Sequence, residues 1–65
     1  MDADKMAELY EQAVAIVRKD QRASTSYLQR MMNLPYIRAA EIMDAMEKNG
    51  VVTAPNHVGK REVLP

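Results

Sequence analysis

Leu34-Pro35 is the most restrictive feature of this chain, because it interrupts a stretch that otherwise repeats its apolar residues at helical spacing. Proline disfavours helical geometry in the residue before it and suits the first position of a new helix. One helix must therefore end before Leu34 and another begin at Pro35, so that two helices meet across a tight turn. The second of them is expected from about Pro35 to Asn49, with Ala39, Ala40, Ile42, Met43 and Met46 facing inward and Gly50 as the left-handed residue that stops it. Its opposite stripe is Ile37, Glu41, Asp44 and Lys48, with Arg38 beside it. The helix before the turn is expected to begin at Ser26, since Ser26 and Gln29 have capping-box spacing, and to turn Leu28, Met31 and Met32 inward.

Upstream, Met6, Leu9, Tyr10, Ala13, Val14, Ile16 and Val17 recur at three- and four-residue steps, which predicts a helix over Lys5 to Lys19. Asp4 is its expected N-cap, and Arg18 and Lys19 complement the negative end of its dipole. Asp20 to Ala23 breaks the period and reads as a turn with a very short strand. Downstream of Gly50, the valine-rich runs Val51 to Ala54 and Arg61 to Leu64 flank Pro55, Asn56, His57, Val58 and Gly59, which is a hairpin signal. The expected fold is thus mainly α with a small β-hairpin, a winged helix-turn-helix of three helices plus wing. A three-helix bundle with an unstructured tail is the alternative.

With 65 residues and no cysteine, the chain predicts one domain, 1–65, held by packing alone. No apolar run approaches a bilayer span of about 20 residues, and Met1 to Met6 lacks a signal-peptide core, so a soluble, cytosol-facing chain without membrane contact is expected. Formal charge is zero, but unevenly spread: residues 1–20 carry a net −2 and residues 21–65 a net +2. That permits nucleic-acid binding without demanding it.

Catalysis has no candidate constellation. Gly59-Lys60 lacks the glycines and hydroxyl of a nucleotide-binding loop, since Arg61 follows. His57 is the only histidine and has no cysteine to share a metal with. Glu41 and Asp44 share a helix face, yet so small a chain offers little room for a cleft that raises one pKa. No cofactor is expected, and the methionines read as core filler.

The surface suited to double-stranded DNA remains. Arg38 lies near the start of the helix that such a fold presents to base edges. Arg22 and Arg30 could meet flanking phosphates, and Lys60 and Arg61 could reach backbone or minor groove from the wing.

The segments Arg22-Ala23-Ser24-Thr25-Ser26-Tyr27-Leu28-Gln29-Arg30, Tyr36-Ile37-Arg38-Ala39-Ala40, Met46-Glu47-Lys48-Asn49-Gly50-Val51-Val52 and Asn56-His57-Val58-Gly59-Lys60-Arg61-Glu62-Val63-Leu64 resemble the gamma domain of the FtsK/SpoIIIE DNA translocases. The likeness runs from Leu9 to Leu64. It implies a winged helix at the cytosolic end of a membrane-anchored ATPase motor, reading short polar DNA sequences and contacting a tyrosine recombinase. Tyr36, Ile37, Arg38, Glu41 and Asp44 would then face DNA. The family usually carries glycine-tyrosine-asparagine-arginine-alanine-alanine-arginine where this chain has Pro35 to Glu41. Ile37 and Glu41 thus replace an amide suited to adenine and a guanidinium suited to guanine. Isoleucine can touch only a thymine methyl, and glutamate can only accept, for instance from cytosine. The same apolar and acidic content motivates a competing expectation, a protein-interaction module in which this helix meets the recombinase or another subunit.

Overall fold

The computed structural model describes residues 3–65, so Asp2 and the start of the Met1 to Met6 stretch lie outside it. Three helices follow one another: α1 (Ala3–Asp20), α2 (Thr25–Met32) and α3 (Tyr36–Lys48). Leu34 and Pro35 form the turn between α2 and α3, with Pro35 extended at φ −66° and ψ 154°, one position before the helix rather than in its first turn.

Each helix stops on a left-handed residue. Gln21 (φ 55°), Asn33 (φ 53°) and Gly50 (φ 76°) reverse the chain. The amide just beyond each reaches back into the last turn: Arg22 N to Val17 O at 3.3 Å, Leu34 N to Gln29 O at 3.1 Å and Val51 N to Met46 O at 2.9 Å. These bonds satisfy carbonyls that a helix end otherwise leaves without partners. Asp20 to Ala23 is accordingly the end and cap of α1, with no strand in it.

The helix starts differ from expectation. Ser24, not Ser26, caps α2: its Oγ accepts from the Tyr27 amide at 3.2 Å, while Ser26 Oγ only shares a 3.0 Å hydrogen bond with Ser24 Oγ. An N-cap needs one side-chain oxygen within reach of the third helical amide, and the glutamine of a capping box is an addition to that bond. Asp4 lies inside the first turn of α1 rather than capping it, where its charge still suits the helix dipole.

Ala13 and Val17 of α1, Leu28 of α2, Ala39, Ile42, Met43 and Met46 of α3, and Val51 and Val52 form the buried core. Each large side chain so buried contributes about 1.5–3 kcal/mol. On α2 Leu28 is buried and Met32 packs against the core, whereas Met31 falls off that face, at 53% exposed. Met43 and Met46 are the methionines that fill the core. Asn49 Nδ2 donates to Tyr10 Oη at 2.9 Å, tying the end of α3 back to α1.

Residues 51–64 double back on themselves, but among the described residues no strand forms. A single antiparallel bridge, Val52 with Val63, joins the two arms, framed by Thr53 N to Glu62 O at 3.0 Å and Leu64 N to Val51 O at 2.9 Å. Side chains and caps intercept the next ladder bonds. The Val51 amide is already spent on the α3 cap; the Glu62 amide donates to Thr53 Oγ1 at 2.9 Å; and the Thr53 carbonyl accepts from Arg61 Nη1 at 3.2 Å. The expected pair of strands is thereby reduced to one bridge.

Candidate nucleic-acid interface

The return segment ends in a turn built on Asn56. Its Oδ1 accepts from the Val58 amide at 3.0 Å and the Lys60 amide at 2.9 Å, and its own amide donates to Lys60 O at 2.9 Å. Asparagine side chains stabilise such turns by replacing a backbone acceptor. Gly59, at φ 82°, supplies the left-handed step. Lys60 is thus held by its backbone while its side chain stays exposed. The turn borders a cleft whose other walls are Ala23 to Ser26 at the start of α2 and Tyr36 at the start of α3. Arg22 and Lys60 line an adjoining depression.

Arg61 behaves differently from its neighbour. Its side chain is only 13% exposed, donating to Glu47 Oε1 at 2.8 Å, Asp44 Oδ1 at 3.3 Å and the Thr53 carbonyl at 3.2 Å. It ties the return segment to α3 and neutralises acids there. Asp44 is therefore engaged by a cation of its own chain.

On α3 the buried residues Ala39, Ile42, Met43 and Met46 mark one face, so helical spacing turns Ile37, Glu41, Asp44 and Lys48 outward. Ile37 is 72% and Tyr36 61% exposed. Tyr36 lies on the flank toward the Gly59-Lys60 turn. Arg38 lies on the other flank, where Nη1 donates to Glu41 Oε2 at 2.9 Å and touches Met6 Sδ of α1 at 3.8 Å. A half-exposed i,i+3 pair of this kind contributes about 0–1 kcal/mol, so it biases Arg38 without locking it.

Around α2, Tyr27 gathers charge. Its hydroxyl donates to Asp20 Oδ2 at 2.6 Å. The guanidinium carbons of Arg22 and Arg30 lie 5.1 and 6.0 Å from its ring centroid. The hydrogen bond to Asp20, followed by burial and the Asp20 charge, holds the phenol above its ordinary pKa, against the pull of the two arginines.

Ion pairs among the described residues engage Lys5, Arg38 and Arg61, which leaves Arg18, Lys19, Arg22, Arg30, Lys48 and Lys60 without a carboxylate partner there. Of the residues singled out in the sequence, Arg22 and Lys60 come together, Arg22 and Arg30 share Tyr27, and Tyr36 borders the same cleft as Lys60. Glu41 instead helps line a mostly apolar groove against α1, with Met6, Ala7 and Tyr10. Tyr27, Asp20 and Asn56 join the site without having been expected in it. Asn56 before a nearby glycine is a turn signal in any sequence, but nothing in the spacing of Asp20, Arg22, Tyr27 and Arg30 announces that they converge. No group of three or more His, Cys, Asp or Glu able to hold a metal occurs among the described residues, and no helix there is long and apolar enough to cross a membrane.

Residues 4–65 match the family model described as the Ftsk gamma domain. The chain is 53% identical over 64 residues to the DNA translocase FtsK of Bradyrhizobium diazoefficiens, covering 98% of this chain and 8% of that protein. It is 58% identical over 57 residues to the DNA translocase FtsK of Caulobacter vibrioides, covering 88% of this chain and 7% of the relative. The corresponding protein of Rickettsia typhi is 52% identical over 56 residues, 86% of this chain and 8% of its own length. The chain thus spans less than a tenth of the length of these relatives.

Proposed function

The chain belongs to the Ftsk gamma domain family, and from that premise we propose that it is a winged-helix module that binds duplex DNA and performs no catalysis itself. The observation that carries this reading is that three of the cations without carboxylate partners among the described residues, Arg22, Arg30 and Lys60, are disposed around α2 and the turn beside it. Those positions suit phosphates on either side of a groove. The return segment serves as the wing, with Lys60 its DNA contact and Arg61 the tether that holds it to α3.

Helix α3 is the element presented to base edges, through Tyr36, Ile37, Arg38 and Glu41, with Asp44 at the margin. Ile37 offers an apolar surface for a thymine methyl. Arg38 and Glu41, already joined, offer a donor fork and an acceptor side by side, suited to guanine and cytosine edges. Such a set differs from an amide-and-guanidinium reader, so the preferred DNA sequence differs too. Because Glu41, Asp44 and Glu47 are paired with Arg38 and Arg61, their repulsion of phosphate is reduced.

The 53% identity to a DNA translocase FtsK supports placing the chain as a single DNA-guiding domain of a larger translocase acting in chromosome segregation and cell division, on the cytosolic side of the membrane. Fluorescence anisotropy with random-sequence duplexes tests the binding. Three phosphate contacts predict a log-log salt slope of about −2.7, so that raising salt from 50 to 200 mM weakens binding about 40-fold. Absence of binding at 50 mM to every duplex in a diverse pool would refute the reading.

One observation favours a second reading, contact with a protein partner such as a tyrosine recombinase. Ile37 projects at 72% exposure from an outward stripe that also carries Glu41 and Asp44, an apolar and acidic face suited to a basic protein surface. Titration with recombinase and with duplex in parallel separates the two: the readings differ in which ligand perturbs Ile37.

A further inference from the structure

Arg22 stands two residues after Asp20, close enough in the chain for a flexible guanidinium to reach the carboxylate, yet the two form no ion pair in this structure. Tyr27 stands between them in the chemical sense. Its hydroxyl occupies Asp20 Oδ2 at 2.6 Å, while its ring takes the Arg22 guanidinium at 5.1 Å and that of Arg30 at 6.0 Å. The distinction matters because a guanidinium held on an aromatic ring keeps its N–H donors available in its own plane, whereas one paired to a carboxylate has spent two of them. A stacked arginine is also restrained, so it gives up less side-chain freedom on gripping an anion.

We propose that Tyr27 is a positioning residue for a two-arginine phosphate grip, in which its ring aligns Arg22 and Arg30 and its hydroxyl withholds Asp20 from Arg22, leaving both guanidinium groups for the phosphodiester backbone. The inference rests on the duplex-binding reading above and adds to it a residue that makes no DNA contact itself. Arg22 follows α1 and Arg30 lies in the last turn of α2, and Tyr27 is the side chain common to both. Asp20 is the second member of the device: its carboxylate lies two residues before Arg22 in the chain, and one of its two oxygens accepts from the tyrosine hydroxyl.

The test compares salt slopes of duplex binding for the wild-type chain, Arg22→Ala/Arg30→Ala, Tyr27→Leu, Tyr27→Phe and Tyr27→Phe/Asp20→Asn, each checked for cooperative thermal unfolding. Removing one phosphate neutralisation makes the slope shallower by about 0.9, which shrinks the weakening over a fourfold rise in salt by about 3.5-fold. The double arginine variant is expected to be shallower by about 1.8 and Tyr27→Leu to approach it. Tyr27→Phe keeps the ring but frees Asp20 to pair with Arg22, so a slope shallower by about 0.9 is expected, and adding Asp20→Asn restores it. A purely structural tyrosine would not be rescued by that second change.

If Tyr27→Leu does not fold, the Phe and Phe/Asn pair decides alone. Wild-type slopes in both Tyr27→Phe and Tyr27→Leu would overturn the positioning role while leaving duplex binding intact. An unchanged slope in the double arginine variant would overturn the grip itself. A wild-type chain that binds no duplex would overturn the underlying reading, and is told apart by failing before any variant is compared.

Discussion

Replacing Arg61 with alanine separates a tether from a DNA contact. In the structure its guanidinium donates to three acceptors while the side chain is 13% exposed. The 2.8 Å bond to Glu47 is charge-assisted, but that carboxylate is 41% exposed, which reduces its contribution to about 1 kcal/mol. The 3.3 Å contact with Asp44, 70% exposed, adds less than about 0.5 kcal/mol. The bond to the Thr53 carbonyl adds about 1 kcal/mol. Arg61→Ala is therefore expected to destabilise the fold by about 2 kcal/mol, and in a domain of this size that lowers Tm by about 8–16 °C. Lysine keeps the charge but not the fork, so Arg61→Lys should recover about half of that stability. Thermal denaturation followed by circular dichroism reads the stability, and salt-dependent anisotropy, well below Tm, reads DNA contact. The tether predicts a salt slope within about 0.3 of the wild type. A Tm within about 2 °C of the wild type, together with a slope shallower by about 0.9, would refute it and return Arg61 to the phosphates.

Ser24→Ala should destabilise by about 1 kcal/mol in urea denaturation while Ser26→Ala changes stability little, because only Ser24 accepts from a helix amide; the reverse order would move the cap to Ser26. Gly50→Ala should destabilise by about 1 kcal/mol through backbone conformation alone, since an added Cβ meets nothing within 4 Å, and an unchanged Tm would show that the α3 cap tolerates a side chain. Glu41→Ala removes an acid from the proposed groove face and releases Arg38, so affinity for random duplex at low salt should rise severalfold; unchanged affinity would place α3 away from the DNA.

The helical part of the fold is legible because its signals are local. Proline at position 35 bars α2 from running into α3, and the three- and four-residue spacing of Ala39, Ile42, Met43 and Met46 marks a buried face without reference to anything distant. The α2 cap sits two residues from its expected place because Ser24 and Ser26 are equally able hydrogen-bond acceptors, and only the backbone trajectory at Ser24, φ −128° and ψ 129°, selects between them. The return segment illustrates the opposite limit. Its valines predict strands, but the ladder is broken by the local helix cap at Val51 and by the Arg61 and Thr53 side chains, whose contacts appear only when the two arms are brought together. The same holds for the site. Arg22, Arg30 and Lys60 can be nominated from charge and position, whereas the pairing of Arg61 with Asp44 and Glu47, 17 and 14 residues away, cannot. Tyr27 carries no signal at all until Asp20 and both arginines are seen around it.

Amide and side-chain NMR shifts of the labelled chain, titrated with a duplex taken from the pool that it binds, map the face that meets DNA. Duplex binding through α2, α3 and the return segment predicts perturbation concentrated at Arg22 to Arg30, Tyr36 to Glu41, and Gly59 to Lys60, with Arg22 and Arg30 guanidinium resonances moving together and the α1 surface around Ala7 and Glu11 silent. Perturbation confined to α1 and the groove beside it, or no perturbation at any residue, would contradict it.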